Sequence, residues 1–305
     1  MKKALSLAAA ALALSAGSAL AADLPSRKAP PPAYLPPPPM MIWTGFYAGV
    51  NVGGAWAASN NFSSPAWDAF DEPAFLPGFA AATSASTLQA GGNNGGFLGG
   101  AQIGYNYQFG SNFLVGVEAD IQGFAGNRSN VDSLSAAREP VSGSIFVTST
   151  QTGRSLDYLG TVRGRLGYLV TPSLLVYGTG GLAYGNANYR VASFTRDSLG
   201  LWTAGVGGGS YSALRAGWTA GGGVEWMFWP NWSAKVEYLY YDLGTVRANS
   251  GAVAGLSTGA AGHVAAGVLG WAYSPTSAAR FDGHMVRAGV NYHLNWGGAP
   301  IVARY

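Results

Sequence analysis

Eight charged residues of the 305-residue chain stand where they could do chemistry: Glu118, Asp120, Arg163, Arg165, Glu225, Lys235, Glu237 and Arg287. Four are acids and four are bases, and each falls on the polar phase of a run in which apolar residues alternate with small or polar ones. Two chemistries suit such a set: a relay that passes protons or ions, or a network that neutralises itself in a dry interior. Most of the eight lie three or five positions from an aromatic residue beside a turn, so before strand stagger they share one depth. That favours the network. Nothing else in the chain competes as a catalytic or metal site. His263, His284 and His293 are scattered, without a metal-ligand partner at useful spacing. Asp242, Asp282 and His284 could meet at one rim of the fold, as in enzymes built on membrane barrels, but no nucleophile is marked beside them. The run from Gly205 to Ser210 is glycine-rich, yet no Lys-Ser/Thr follows to complete a phosphate cradle. The expectation is a protein without catalytic residues, cofactor or metal.

The elements that carry these charges have period two, the signature of strands. Eight runs show it: 46–56, 97–109, 113–122, 156–168, 174–184, 218–228, 232–240 and 286–294. In the first, Phe46, Ala48, Val50, Val52 and Trp56 oppose Tyr47, Gly49, Asn51 and Gly53; in the fourth, Leu156, Tyr158, Val162, Leu166 and Tyr168 oppose Asp157, Thr161, Arg163, Arg165 and Gly167. Short turns at 110–112, 171–173 and 230–231 follow the second, fourth and sixth runs, whereas 58–92, 126–154, 186–214 and 246–280 are long and rich in Ala, Gly and Ser. Alternating short and long connections around an even number of strands predict an eight-stranded antiparallel up-and-down transmembrane β-barrel, with short periplasmic turns and long extracellular loops.

Alternation alone leaves open which phase faces inward, because a soluble barrel has the opposite polarity. Aromatic residues settle the expectation. Phe46, Phe109, Phe113, Tyr168, Phe228, Trp232 and Tyr292 gather near the turns, and Trp56, Phe97, Tyr158, Tyr184, Trp218 and Tyr240 near the loops, as two interfacial girdles would. Phe97 and Phe109 are twelve residues apart; at about 3.3 Å per residue and a tilt near 45°, that spans roughly 28 Å, the height of a bilayer core. A cation facing lipid at mid-depth would cost about 2 to 4 kcal/mol, so the charges belong inside. Glycine, 46 residues of the chain, makes room for them in a narrow lumen, and charged residues at 10% are too few to coat a soluble protein.

The N-terminus predicts export. Lys2 and Lys3 precede an apolar stretch from Leu5 to Ala16 and a small-residue cleavage site at Ala19-Leu20-Ala21, so residues 1–21 read as a cleaved signal peptide. Its removal leaves fifteen bases against fourteen acids, and no basic patch that would imply a nucleic-acid partner. Prolines crowd 25–39, so 22–42 reads as an extended periplasmic spacer, with the barrel from 43 to 305. With no cysteine, stability must come from the fold rather than from disulfides.

The segments Trp43-Thr44-Gly45-Phe46-Tyr47-Ala48-Gly49, Gly160-Thr161-Val162-Arg163-Gly164-Arg165-Leu166-Gly167-Tyr168, Tyr177-Gly178-Thr179-Gly180-Gly181-Leu182-Ala183-Tyr184, Gly217-Trp218-Thr219-Ala220-Gly221 and Trp232-Ser233-Ala234-Lys235-Val236-Glu237-Tyr238 together resemble the RopB-type small outer-membrane proteins of alphaproteobacteria, within the OmpA-like barrel class. Arg287, Gly289, Tyr292 and Leu294 in the last strand resemble the assembly signal of such barrels, although Asn295 to Tyr305 follow it here. The resemblance implies a surface-exposed structural or porin-like protein of the outer membrane, surrounded by its lipid and lipopolysaccharide and inserted by the barrel-assembly machinery, with no catalytic residue to carry over. The span 246–280 holds Val253, Leu256, Val264, Val268, Leu269, Trp271 and Tyr273. Such apolar residues either let the last two strands continue and pair beyond the membrane, or contact a host surface, a neighbouring barrel or lipopolysaccharide.

Overall fold

The computed structural model describes residues 41–59, 61–68, 76–90, 95–126, 128–249, 251–260 and 266–294. The expected signal peptide, the spacer up to residue 40, His263, Val264 and the tail from Asn295 lie outside these residues. In chain order the elements are β1 (Gly45–Ala57), β2 (Asn61–Ser64), β3 (Ala66–Asp68), α1 (Leu76–Ala85), β4 (Thr87–Ala90), β5 (Gly96–Phe109), β6 (Phe113–Ala125), β7 (Ser129–Arg138), β8 (Ile145–Thr171), β9 (Leu174–Asp197), β10 (Gly205–Trp229), β11 (Trp232–Asn249), β12 (Val253–Leu256) and β13 (Leu269–Leu294).

The long strands follow the order β1-β5-β6-β8-β9-β10-β11-β13, all antiparallel. β13 then pairs with β1, from Phe46↔Leu294 to Ala57↔Gly283, so the path returns to its first strand and leaves no open edge there. Turns of two or three residues join β5 to β6, β8 to β9 and β10 to β11. In the first of these, Gly110 takes φ +61°, a left-handed conformation that L side chains rarely adopt.

The apolar phase faces outward. Val50 is 63% exposed, Val162 51% and Val236 58%, whereas Arg163 and Glu237 on the alternate phase are 1% exposed. Aromatic contacts run around both ends of this outer band: Phe109, Phe113 and Tyr168 follow one another near the turns, and Trp218, Tyr240, His284 and Trp56 near the opposite end.

Two expectations need correction. The spans 126–154, 186–214 and 246–280 are not mainly loop: β8 and β9 stay paired as far as Phe146↔Asp197, β9 and β10 as far as Thr195↔Gly205, and β11 and β13 as far as Asn249↔Thr276. The apolar periodicity fades there because the outer face is largely polar, while the inner phase carries Thr148, Thr150, Thr152, Ser193 and Thr195. The backbone ladder persists without the alternation that advertises it. The second correction is Leu156, expected on the outer phase with Val162. A β-bulge between Leu156 and Leu159 adds a residue, so Leu156 turns inward at 5% exposure and Asp157 is exposed instead.

The span 58–92 is also structured. Its alanine-rich segment forms α1, whose Ala80, Ala81, Ala82 and Ala85 pack with Phe146, Trp202, Val253, Trp271 and Tyr273. Within 246–280, β12 folds back on β13, and Thr203 N–H donates to the Leu256 carbonyl at 2.8 Å, tying two of the expected loops together.

Candidate functional site

The strongest concentration of chemistry lies inside the ring, where strand register brings opposite charges face to face. Glu118 is opposite Arg163, Glu225 opposite Lys235, and Glu237 opposite Arg287. All eight sequence-selected charges are buried.

Glu118 is the hub. Lys235 Nζ donates to both of its oxygens at 2.9 Å, Arg165 Nη1 and Arg287 Nη2 approach at 3.4 Å, and Arg163 Nη2 makes a short contact. Arg163 also reaches Asp120 at 2.7 Å and Glu237 at 3.0 Å, so one guanidinium touches three carboxylates. Arg287 joins Asp120 at 2.9 Å and Glu237 at 2.5 Å. Arg165 Nη2 donates to Glu225 at 2.7 Å. Guanidinium forks suit such sharing because their donors spread in a plane and match carboxylate geometry.

Neutral groups complete the set. Tyr47 O–H donates to Glu118 at 2.7 Å and its oxygen accepts from Arg165, whose guanidinium stacks 3.9 Å from the Tyr177 ring centroid. Tyr177 O–H donates to Glu237 at 3.0 Å, Thr161 to Asp120 at 2.9 Å, and Ser233 and Asn291 to Glu225 at 2.6 and 2.7 Å. His293, on the inner phase of the last run, is buried, with Nε2 2.9 Å from Ser233 Oγ and 3.6 Å from Glu225, partners that its isolated position in sequence does not announce. Tyr47, Thr161, Tyr177 and Ser233 lie in segments that carry the family resemblance and Asn291 on the polar phase of the last run, but nothing in the sequence marks them as partners of the charges.

Glycines let these long side chains cross the lumen. A Cβ at Gly53 would lie 2.7 Å from the Arg287 Cα, and one at Gly104 would lie 2.4 Å from the Tyr47 ring. Toward the turns, Trp43, Leu114, Leu169, Leu175, Tyr177 and Met227 close the lumen beneath the charges, and Trp43 Nε1 donates to the Pro172 carbonyl at 2.9 Å. On the other side a larger apolar cluster, including Leu98, Leu159, Leu239, Tyr241, Phe281 and Met285, fills the interior. Beyond it, hydroxyls join in a chain: Ser84, Thr148, Thr195 and Tyr273 are linked at 2.7 Å each. Burial pushes the Tyr273 phenol upward.

The rim residues meet only in part. Asp242 and Asp282 are register partners, and Arg280 spans them at 2.5 and 3.6 Å. The hydrogen bond from Arg280 holds the Asp242 carboxyl below its ordinary value. Ser59 Oγ donates to Asp282 at 2.8 Å, while the His284 ring bonds Tyr238 O–H at 2.7 Å and stacks on Trp56. Among the described residues no group of three or more His, Asp or Glu could hold a metal ion. Arg287, Gly289, Tyr292 and Leu294 all lie on β13, opposite Gly53, Asn51, Ala48 and Phe46 of β1.

The family model described as outer membrane protein beta-barrel domain matches residues 7–293. The 31 kDa outer-membrane immunogenic protein of Brucella melitensis is 35% identical over 237 residues, 76% of this chain and 84% of that protein. The 22 kDa outer membrane protein of Rhizobium leguminosarum is 33% identical over 147 residues, 48% of this chain and 53% of that protein. Among solved structures, the outer membrane protein OprG of Pseudomonas aeruginosa aligns over 84% of this chain and 100% of its own at 12% identity, with a TM-score of 0.38.

Proposed function

The chain belongs to the outer-membrane protein β-barrel family, and from that membership we propose that it is a closed structural barrel of the envelope with no catalytic role. The proposed transmembrane set is β1, β5, β6, β8, β9, β10, β11 and β13, with the two- and three-residue turns in the periplasm and the long strand extensions outside the cell. Residues 1–21 are its cleaved signal peptide, 22–42 a periplasmic spacer, and 43–305 the barrel. Arg287, Gly289, Tyr292 and Leu294 serve as the assembly signal read during insertion.

The observation that carries this reading is the filled lumen. An apolar layer, a paired-charge layer and a second apolar layer succeed one another across the interior. A solute path needs a continuous wetted route, and a proton relay needs groups free to exchange partners. Here each carboxylate is tied by cations and hydroxyls, so the charges fill space and fix strand register. Glu118, Asp120, Arg163, Arg165, Glu225, Lys235, Glu237 and Arg287 are structural on this view. The name of the Brucella relative supports a surface-exposed, antigenic protein.

Planar-bilayer recording on refolded protein tests the proposal. A closed barrel gives no steady conductance above that of the bare bilayer; a large, lasting conductance would favour passage of small solutes instead.

A further inference from the structure

Above the outer girdle the wall divides into two sheets. β7, β8, β9 and the upper part of β10 form one; the upper parts of β11 and β13, with β2 and β4, form the other. Their inner faces pack together, Ala187, Tyr189 and Val191 of β9 with Val246 and Ala248 of β11. The division starts where β10 and β11 stop pairing, at Trp218↔Asp242. Just beyond, Gly244 takes φ +80° and the register of β11 on β13 shifts between Asp242 and Thr245, a bulge that turns β11 away from β10. At the far end β12 closes against Gly205, where a Cβ would lie 2.7 Å from the Ala254 carbonyl. Between these closures 206–216 pair with β9 and, among the described residues, with no strand on the other side.

That edge is unguarded. Free edges are normally blunted by lysine, proline or a bulge, because their outward amides and carbonyls are a template for another strand. Across 205–217 β10 has neither lysine nor proline, and its register on β9 is unbroken. Its inner phase, Gly207, Gly209, Tyr211, Ala213 and Arg215, is only half-buried, whereas the inner phase of β9 beside it is buried throughout. At the opposite end of the same sheet, β7 is tied to α1, where Ser135 Oγ donates to the Ser84 carbonyl.

Arg215, the one charge of 205–217, stands at the foot of the opening. Its Nη2 reaches across to the Thr245 carbonyl at 3.4 Å, and its Nε is buried without a hydrogen-bond partner. No carboxylate among the described residues pairs with it, and Asp242, at the fork, is held by Arg280. An added strand answers both needs: its backbone completes the ladder, and an acid on its inner phase meets the guanidinium. A second copy in the same membrane cannot be that strand. Two such copies are related by an axis along the membrane normal, which keeps both strands rising and reverses their sideways lean. At a tilt near 45° the two edges cross at roughly a right angle and cannot pair.

We propose that the free edge of β10, 206–216, binds an extended acidic segment of another protein outside the cell. The segment adds as a strand, lays apolar side chains in the space left by Gly207 and Gly209, and sets a carboxylate against Arg215. The inference rests on the outward placement of the strand extensions given under Proposed function.

The test uses the mature chain refolded in phosphatidylcholine bilayers and a fluorescent synthetic peptide as long as 206–216. The peptide alternates threonine and valine, with one glutamate near its N-terminal end to meet Arg215 in an antiparallel ladder. Wild type should bind it, and should bind the glutamine version about tenfold more weakly, since a charge-assisted pair is lost. Arg215→Glu should reverse the preference, taking a lysine version of the peptide over the glutamate one; an arginine that only braces β11 would give no such exchange. Of two peptides N-methylated at odd or at even amides, one should lose binding and the other keep it, because only one set faces β10. No binding by wild type, equal binding of the glutamate and glutamine peptides, or equal binding of the two methylated ones would overturn the proposal. Dipolar coupling between spin labels at Ser212→Cys on neighbouring chains, without peptide, would overturn it too, by giving the edge to a second copy. Heat-modifiable migration of each variant reports barrel folding separately, and a conducting pore would defeat the closed-barrel reading without touching this one.

Discussion

Arg163 shows how much depends on one side chain in a dry lumen. Its guanidinium contacts Glu118, Asp120 and Glu237, none of which has water to replace it. Arg163→Leu should therefore destabilise the fold by about 3 to 5 kcal/mol, the usual cost of leaving a buried charge without its partner, seen as a lower temperature for loss of heat-modifiable migration. It should open no conductance, because the apolar layers on either side remain. At the rim, Asp242 behaves differently. Its folded pKa lies below the ordinary carboxylate value, first because Arg280 donates to it. The stabilisation is present above the unfolded pKa, near pH 4, and disappears as pH falls through the lower folded value. Melting curves across that range should fall less steeply with acid for Asp242→Asn than for wild type; equal slopes would show that the Arg280 contact contributes nothing.

At the scale of elements, the membrane-level strands were legible because their two faces differ in polarity, and every short turn carried Gly, Pro or Asn. The same logic hid the upper strands. Thr148, Thr150 and Thr152 face inward on β8 while Gln151 and Gly153 face outward, so neither phase is apolar and the sequence looks like loop. The apolar upper plug was in plain view on the polar phase: Leu239 and Tyr241 follow Lys235 and Glu237 at period two, and Met285 precedes Arg287. Because they share that phase with the charges, they break no pattern that would mark them as a plug. Trp271 and Tyr273, open between strand continuation and surface contact from sequence, are fully buried against α1 and Phe146. Trp271→Ala should cost the external cap about 3 to 5 kcal/mol. Limited proteolysis should then cut within 58–92 or 250–270 while heat-modifiable migration persists, since the cap can open without the barrel. Loss of both together would mean that the two fold as one unit.

For the whole molecule, one inversion organises everything else: hydrocarbon replaces water as the solvent of the outer wall, so apolar residues face out and the ionic set is enclosed. That single assignment accounts for the exposed valines, the aromatic girdles, the glycines beside the lumen arginines and the absence of any need for disulfides. The cysteine-free sequence allows it to be tested directly by single-cysteine spin labels in refolded protein. Labels at Val52, Val162 and Val236 should be reached by oxygen dissolved in lipid and not by a water-soluble relaxer, whereas labels at Thr161, Thr219 and Ser233 should be immobile and reached by neither. Oxygen access at Thr161 and Thr219 together with immobile, shielded labels at Val162 and Val236 would contradict it.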